Sequence, residues 1–135
     1  MNRDSLEDKS YYSVVLDIVN NANATRIIDA PCGSGWLGSK LDRCGKYLIG
    51  LDVDAKKLEG YSLTTVSDLN AGLPDGIEPV DLIVCCEGLE HLGSPLEFLS
   101  SCYQTLNNQG IMIVTTPNIW YPASFDWVLS VGGTN

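Results

Sequence analysis

Basic residues are scarce in this chain. Its 135 residues include 8 Lys and Arg against 17 Asp and Glu, which gives a formal net charge of −9 at pH 7. The few basic residues form no run along the chain. Because contacts to phosphate groups and to anionic membrane surfaces need clustered Lys and Arg, this composition predicts no nucleic-acid partner and no membrane partner.

Long apolar segments are also missing. The longest apolar runs, such as DLIVCC and GIMIV, have the length of strands and are far too short to cross a bilayer. The first ten residues, MNRDSLEDKS, carry charges of both signs, and Asp17 interrupts the apolar segment that follows. This is not the pattern of a signal peptide, so we expect a cytoplasmic protein.

Histidine and paired cysteines are scarce as well. The chain has one His, and its five cysteines include no C-x-x-C pair, so no metal site is predicted. An odd number of cysteines without that spacing is typical of reduced, mostly buried thiols in a cytosolic protein. Cys85 and Cys86 are adjacent in a predicted strand and should therefore point to opposite faces of a sheet.

What the chain does contain is an alternation of helical and extended patterns. Apolar residues at helical spacing predict a helix over residues 11–23. Five predicted strands follow, with further helices between them: RIIDA, KYLIGLDV, SLTTVSD, PVDLIVCCE and GIMIVTTPN. Strands that alternate with helices predict an α/β fold with three layers, in which a doubly wound, mainly parallel sheet of about five strands is covered on both faces.

Two of these helices have start or stop signals. The first follows Gly35 and is predicted to end at Gly45, which fits a C-cap position. In the second, SPLEFLSSCYQTLNNQG, Ser94 is predicted to cap the helix, with Pro95 at its first position and Glu97 completing a capping box. The apolar face of this second helix is predicted to consist of Leu96, Leu99, Tyr103 and Leu106.

The turn after the first predicted strand, PCGSGWLG, is rich in glycine. Gly33, Gly35 and Gly38 satisfy the G-x-G-x-x-G pattern of dinucleotide-binding turns, although this pattern alone is weak evidence. In doubly wound sheets, ligands bind beyond the carboxyl ends of the strands. Four of the predicted strands end in or beside an acidic residue: Asp29, Asp52, Asp68 and Glu87. Turn chemistry alone would make about half of such acids caps or solvated turn residues.

In these segments the sequence resembles the class I S-adenosylmethionine-dependent methyltransferases. IIDAPCGSG is similar to that family's first motif and LIGLDVD to its second-strand motif. TTVSDLN is similar to the motif that flanks adenine, and VDLIVCCEGLEHL to the fourth-strand motif. The helix that follows and NNQGIMIVTTPN continue the pattern, so the resemblance covers about residues 24–118. It implies S-adenosylmethionine as the cofactor and transfer of its methyl group to an acceptor.

The resemblance also implies which residues hold the cofactor. Asp52 occupies the position of the acid that binds the ribose hydroxyls, and Asp68 with Leu69 the position beside adenine. Glu87 is expected at the methionine end. The complete set of predicted cofactor-binding residues is Asp29, Ala30, Pro31, Gly33, Gly35, Asp52, Val53, Asp68, Leu69, Cys85 and Glu87.

The charge of the turn favours this cofactor over a dinucleotide. S-adenosylmethionine carries an ammonium and a sulfonium and no phosphate, and a carboxylate at Asp29 attracts such positive charge. A pyrophosphate against the same turn would be repelled. Gly33 and Gly35 allow the backbone to approach a ligand closely. Pro31 stands where the family often has a glycine, and its fixed φ makes the start of the loop stiffer.

Catalysis of methyl transfer needs little acid–base chemistry. The leaving group is neutral, so alignment of the acceptor with the methyl group supplies much of the acceleration. A hydroxyl acceptor would also use a general base, for which Glu90 and His91 are the candidates. The alternative is that these two residues form a helical turn with a purely structural role. The acidic composition favours a small-molecule acceptor over a nucleic acid.

The whole chain, residues 1–135, is predicted to be one domain. It comprises an N-terminal helix over 1–23, a cofactor-binding sheet over 24–118 and a tail over 119–135. The full sheet of the family has seven strands, which leaves the fifth predicted strand with an open edge. The tail is predicted to be a lid or a helix over that edge, an interface, or the start of a substrate-binding region. It contains four aromatic residues: Trp120, Tyr121, Phe125 and Trp127. A homodimer through the fifth-strand edge or this tail is a further expectation.

Two other functions stay open at this point. One is a non-catalytic module that binds S-adenosylmethionine or S-adenosylhomocysteine. The other is a nicotinamide-dependent oxidoreductase, which rests only on the three glycines and lacks a Tyr-x-x-x-Lys pair.

Overall fold

A six-stranded sheet forms the centre of the protein. The computed structural model describes residues 8–42, 44–117 and 126–132, the last range for its backbone only. The strands lie in the order β3-β2-β1-β4-β5-β6. The first five are parallel, as predicted, and β6 is antiparallel to β5. Their bounds are β1 Arg26–Asp29, β2 Tyr47–Asp52, β3 Leu63–Val66, β4 Val80–Cys86, β5 Leu106–Pro117 and β6 Asp126–Gly132.

Helices cover both faces of this sheet, which confirms the three-layer, doubly wound architecture. The helices are α1 (Tyr12–Asn21), α2 (Trp36–Lys40) and α3 (Pro95–Thr105). On one face α1 and α2 bury residues such as Val15, Val19 and Leu37 against Ile27, Leu48 and Leu82. On the other face, Phe98 and Cys102 of α3 pack with Ile28, Ile49 and Ile83. No helix in the described part of the chain is long and apolar enough to span a membrane.

The alternation of side chains along the strands explains why two cores form. Successive residues of a strand point to opposite faces, so a strand that is apolar throughout supplies both layers. Cys85 belongs to the α3 side and Cys86 to the α1 side, as predicted. All five cysteines are free thiols, and only Cys44 is exposed.

Helix α3 begins where the sequence predicts, but its buried face is different. Pro95 is at its first turn and Ser94 is its N-cap, although the Ser94 side chain makes no capping hydrogen bond, so the predicted capping box is wrong. Leu96 is 79% exposed and Tyr103 is 58% exposed. Leu99 and Leu106 of the predicted stripe do pack against this core, but the fully buried residues of the helix are Phe98 and Cys102, and the bulky Phe98 ring fills the space above β4.

Helix α2 is shorter than predicted. It ends at Lys40, and Leu41 is already extended, with φ −76° and ψ 137°. Leu41 is buried in the core on the α1 side, and the chain needs the next residues to turn into β2. Gly45 has φ +73° and therefore serves this turn and not the end of the helix.

Part of the predicted tail is a strand. Residues 126–132 pair with β5 over its whole apolar part, from Ile111 opposite Gly132 to Pro117 opposite Asp126. The backbone hydrogen bonds of β5 thereby find partners on both sides. The prediction of a helix over this edge is therefore wrong for residues 126–132. The edge of β5 that a homodimer was expected to use is paired with β6 within the same chain. The predictions for Trp120, Tyr121 and Phe125 lie outside the described residues.

Candidate functional site

The four predicted acids meet at one edge of the sheet. Asp29 ends β1 opposite Gly50, two residues before Asp52 ends β2. Asp68 follows β3, whose last residue Val66 is opposite Asp52, and Glu87 follows β4. Because the five strands are parallel, all these carboxyl ends face the same side. The sheet order places β1 and β4 side by side, and the order of connection reverses between them, which is the place where doubly wound sheets bind ligands.

The glycine-rich turn is bound to β2 by its backbone. Cys32 N–H donates to the Leu51 carbonyl at 2.9 Å, and Gly33 N–H donates to Asp52 Oδ2 at 2.9 Å. Gly33 has φ +52°, and a Cβ at this position would have no atom within 4 Å. The backbone of Gly33 therefore faces open space beside Asp52, as a ligand-binding turn requires.

Gly35 has a packing role besides the predicted one. Its φ is +94°, and a Cβ there would come within 3.3 Å of Leu58 and of the Tyr61 ring. The absence of a side chain at Gly35 therefore makes room for protein packing on this side, and its close approach to the cofactor stays a prediction.

Asp29 is completely buried and has one protein partner. The Tyr61 hydroxyl donates to its Oδ2 at 2.5 Å, whereas its Oδ1 is buried without a hydrogen-bond partner among the described residues. Burial raises the pKa of Asp29 from 3.8 to about 7, the hydrogen bond from Tyr61 opposes this rise, and the nearby charge of Asp52 adds to it. An unpaired buried carboxyl oxygen is costly, so its presence points to a missing cationic or donor partner.

Tyr61 is the main residue of this site that sequence reasoning missed. Its ring lies where a Cβ at Gly38 or Gly50 would overlap it, and a Cβ at Gly60 would overlap the Gly38 carbonyl. Gly38, the third glycine of the dinucleotide-like pattern, thus makes room for the Tyr61 ring. The sequence offered one sign of Tyr61: Gly35, Gly38, Gly50 and Gly60 lie in the segments that surround its ring, and no single motif explains all four glycines.

The predicted ribose and adenine residues lie next to each other on β2 and after β3. Asp52 accepts one backbone N–H on each oxygen, from Gly33 at 2.9 Å and from Asp54 at 3.1 Å. Each carboxylate oxygen retains a lone pair for a further donor. Val53, the next residue, is 63% exposed and contributes an apolar surface at this edge.

Asp68 combines a structural role with the predicted one. Its Oδ1 accepts from the Asn70 backbone at 3.0 Å and caps a short 3-10 turn, Leu69–Ala71. Such a cap is one of the two roles that turn chemistry allowed for these acids. Leu69 is buried in the core on the α3 side.

The end of β4 is joined to the turn after β1 and to β5. Pro31 follows a cis peptide bond, and a Cβ at Gly88 would overlap the Pro31 ring, so these two residues pack tightly. Glu87 has φ +53°, and its backbone N–H donates to the buried Thr115 at 3.0 Å. These contacts hold the Glu87 position beside the glycine-rich turn.

Two predicted cofactor-binding residues present no side chain to the site. Ala30 and Cys85 are both 0% exposed, because they fill the core below the strand ends. Burial raises the pKa of the Cys85 thiol to about 12, and also that of Cys32, so both thiols are protonated at neutral pH. Ala30 and Cys85 therefore shape the core beneath the strand ends, and their predicted contact with a cofactor stays a prediction.

The predicted catalytic pair follows β4 directly. Glu90 and His91 belong to a 3-10 turn, Leu89–His91, and His91 is exposed. His91 Nε2 lies 3.7 Å from the Glu90 carboxylate. The pair is thus on the correct edge of the sheet and within reach of solvent.

An aromatic group from α1 and α2 borders the same edge. Tyr12 stacks on Trp36, with ring centroids 3.9 Å apart and planes 5° apart. Burial raises the pKa of Tyr12 to about 12, and the charges of Asp8 and Glu87 add to the effect, which locates its hydroxyl near the β4 end. The helical spacing over residues 11–23 predicted a helix and gave no sign of this stack.

Comparison with known proteins agrees with this arrangement. A sequence profile described as "Methyltransferase domain" matches residues 7–129. The chain belongs to this methyltransferase family. It is 31% identical over 106 residues to a ubiquinone biosynthesis O-methyltransferase of Caulobacter sp. strain K31, covering 69% of this chain and 41% of the relative. The corresponding enzyme of Haemophilus ducreyi is 28% identical over 113 residues, covering 73% of this chain and 48% of the relative.

A solved structure shares the fold of this family member over nearly its whole length. The 1,6-didemethyltoxoflavin-N1-methyltransferase of Burkholderia thailandensis, solved with its substrate and S-adenosylhomocysteine, has a TM-score of 0.71 and 14% sequence identity. The match covers 98% of this chain and 82% of that one. The present chain spans less than half the length of the two O-methyltransferases named above.

The strand-end residues of this methyltransferase domain fit S-adenosylmethionine. The unpartnered Oδ1 of Asp29 suits a positive charge, Asp52 retains acceptor capacity for hydroxyls, and Gly33 leaves space for a ligand beside it. A pyrophosphate placed against the buried, unpartnered Asp29 carboxyl would be disfavoured there.

Proposed function

We propose that this domain transfers the methyl group of S-adenosylmethionine to a small-molecule acceptor. The observation that carries the proposal is the meeting of Asp29, Gly33 and Asp52 at the ends of β1 and β2, with open space at Gly33. Membership of the methyltransferase family supports it. The cofactor, when bound, supplies the electrophilic methyl group.

The residues of the chain divide the binding of this cofactor among the strand ends. Asp52 accepts from the ribose hydroxyls, Asp68 accepts from the adenine amino group through the oxygen that does not cap the 3-10 turn, and Val53 covers one side of adenine. The carboxylate of Glu87 borders the methionine end. These roles follow from the positions of the residues along one edge and, for Asp52 and Asp68, from acceptor capacity that their hydrogen bonds leave over.

A hydroxyl group is the acceptor that the site and the relatives favour. Relatives at about 30% identity are named ubiquinone biosynthesis O-methyltransferases. A hydroxyl must lose its proton as the methyl group arrives, and His91, with Glu90 beside it, is available at this edge to take that proton. In-line positioning of the acceptor provides the rest of the acceleration.

Ligand binding tests the proposal directly. A ligand present at about 100 times its dissociation constant stabilises a protein by about 2.7 kcal/mol, which raises the melting temperature by several degrees. We expect S-adenosylhomocysteine to produce this rise and NADH to produce none. A rise with NADH alone would overturn the proposal in favour of an oxidoreductase, and product formation in a screen of phenolic acceptors would distinguish an enzyme from a binding module.

Asp52→Ala tests the assignment of the ribose site. Loss of two charge-assisted hydrogen bonds should weaken binding of S-adenosylhomocysteine at least about tenfold, measured by calorimetry. Asp75→Ala is the matched control, because Asp75 is an exposed acid in the loop before β4. Equal affinities of the two variants would show that the ribose binds elsewhere.

The expected surroundings of the protein belong to the same proposal. The chain has free thiols at all five cysteines, which supports a reducing compartment and hence the cytoplasm. The net charge of −9 supports a small-molecule acceptor without a nucleic-acid or membrane partner. We further propose one domain over residues 1–135, and a homodimer through the C-terminal segment at the β6 side of the sheet.

A further inference from the structure

The ionisation of Asp29 carries an inference that rests on the proposed function and goes beyond it. Asp29 has no exposed surface, and its Oδ1 has no protein partner in the described part of the chain. The ion pairs found there join Lys40 to Asp8 and His91 to Glu90, so no basic side chain pairs with Asp29. A buried carboxyl group without a counter-ion favours its neutral form.

Among the described residues, the titratable groups next to Asp29 are all acidic or neutral. The groups that face Asp29 come from β2, the segment before β3, the glycine-rich turn, β4 and α1. They are Asp52, Tyr61, Cys32, Cys85, Cys86 and Tyr12. Burial raises the pKa of the three thiols and of the two phenols, so none of these five groups supplies a positive charge. Within the described part of the chain, then, nothing next to Asp29 is positively charged, and a cationic ligand would supply that charge.

The Tyr61 hydroxyl is fixed as the donor to this carboxyl group. Its ring is enclosed by Gly35, Gly38 and Gly50, where side chains would meet it. Burial raises the pKa of Tyr61 far above neutrality, so its hydroxyl keeps its proton and donates to Asp29 Oδ2. This single hydrogen bond favours the ionised form of Asp29.

We propose that Tyr61 is a positioning residue through which Asp29 couples cofactor binding to release of a proton. In the free protein Asp29 is substantially protonated. When the cationic cofactor binds beyond β1, the O–H bond of Asp29 breaks, its electron pair stays on the carboxylate, and the proton passes to the buffer. Tyr61 keeps Oδ2 in a hydrogen bond, so that the carboxylate forms in place and near neutral pH.

Calorimetry with S-adenosylmethionine measures this coupling as protons released per binding event, from titrations in buffers of different ionisation enthalpy. With a pKa of about 7 in the free protein, we expect the wild type to release about 0.8 protons at about pH 6.5 and almost none at about pH 8.5. Asp29→Asn should release none at either pH. The affinity of the wild type for S-adenosylmethionine should increase tenfold or more between about pH 5.5 and 8.5, and this increase should be absent in Asp29→Asn.

Tyr61→Phe separates positioning from packing, because the ring stays and only the hydroxyl is lost. Loss of a hydrogen bond to the charged form should move the Asp29 titration upward by about one pH unit, read from its side-chain carboxyl ¹³C shift in the cofactor-free protein. Proton release at about pH 7.5 should then rise from about 0.2 to about 0.8. Tyr47→Phe, at the opposite end of β2, is the control and should behave as the wild type.

The possible failures are distinguishable. Wild-type protein that binds no S-adenosylmethionine would overturn the proposed function and this inference together. Binding without proton release at about pH 6.5 would overturn this inference alone. An Asp29 titration that is the same in Tyr61→Phe and the wild type would remove Tyr61 from the positioning role.

Discussion

Asp29→Asn should change how the stability of the free protein depends on pH. Asp29 has a pKa of about 7 in the folded protein against 3.8 as its ordinary value, because burial disfavours its charged form. A raised pKa contributes stability that is complete below the unfolded value and is lost as the pH rises through the folded value. The wild type therefore loses stability between about pH 4 and pH 7 on account of this residue.

The size of the effect follows from the two pKa values. A difference of this size corresponds to about 4 kcal/mol when the whole range is crossed, and to about 2.5 kcal/mol between about pH 5 and pH 8. The amide of the Asp29→Asn variant cannot ionise, so this loss disappears. The variant has its own cost of about 1–3 kcal/mol, because an amide group now occupies the place of the unpartnered Oδ1, but that cost does not vary with pH.

Urea unfolding at a series of pH values provides the assay. The free energy of unfolding of the wild type should fall, relative to that of Asp29→Asn, by about 2.5 kcal/mol from about pH 5 to pH 8. All other titrating groups are common to both proteins and cancel in the comparison. Parallel curves would refute the reasoning, since they would show that Asp29 ionises in the folded protein as easily as in water.

Three further substitutions or reagents test the surrounding structure. Gly38→Ala should lower the melting temperature by several degrees, about 1–3 kcal/mol, because the new Cβ overlaps the Tyr61 ring, and an unchanged melting temperature would contradict this packing. Asp81→Ala should cost about 2 kcal/mol or more in urea unfolding, since Asp81 accepts hydrogen bonds from the start of β1 and from β5, while Asp75→Ala should be near neutral. A thiol reagent should label Cys44 first, and rapid reaction of more than one cysteine would contradict the burial of the other four.

Asp81 also shows how a strand start is held, at the end of the sheet opposite the site. Its Oδ2 accepts from the Thr25 and Arg26 backbones at 2.9 and 3.0 Å, and its Oδ1 from Asn107 at 2.9 Å. Burial acts to raise the pKa of Asp81, but these hydrogen bonds outweigh it and lower the pKa to about 2. Two acids in one small sheet thus have pKa values moved in opposite directions, because complete burial dominates at Asp29, which has one donor, whereas several hydrogen bonds outweigh burial at Asp81.

The predictions that succeeded are those that depend on local pattern. A strand that is apolar on both faces, such as β4, can only be buried between two layers, so DLIVCC identified the centre of the sheet. The alternation with helices then required parallel strands, whose carboxyl ends must share one edge. Asp29 and Asp52 were brought together by this rule alone.

The predictions that failed depend on which side chain fills a given space. The volume above β4 decides that Phe98 and not Leu96 points inward from α3. The burial of Leu41 in the core decides that α2 ends earlier than predicted. Neither quantity exists until the layers are assembled.

The sequence by itself determined the class of the fold, the edge that carries the acids and the family of the chain, because hydrophobic periodicity and strand-end residues are local properties. Only the tertiary structure decided that the Tyr61 hydroxyl, 32 residues beyond Asp29, reaches the carboxyl group of Asp29. It also decided that four glycines leave space for the Tyr61 ring and for the segment that carries it. The hydrogen bond and the complete burial of Asp29 are long-range facts of packing, and these set the charge of the site.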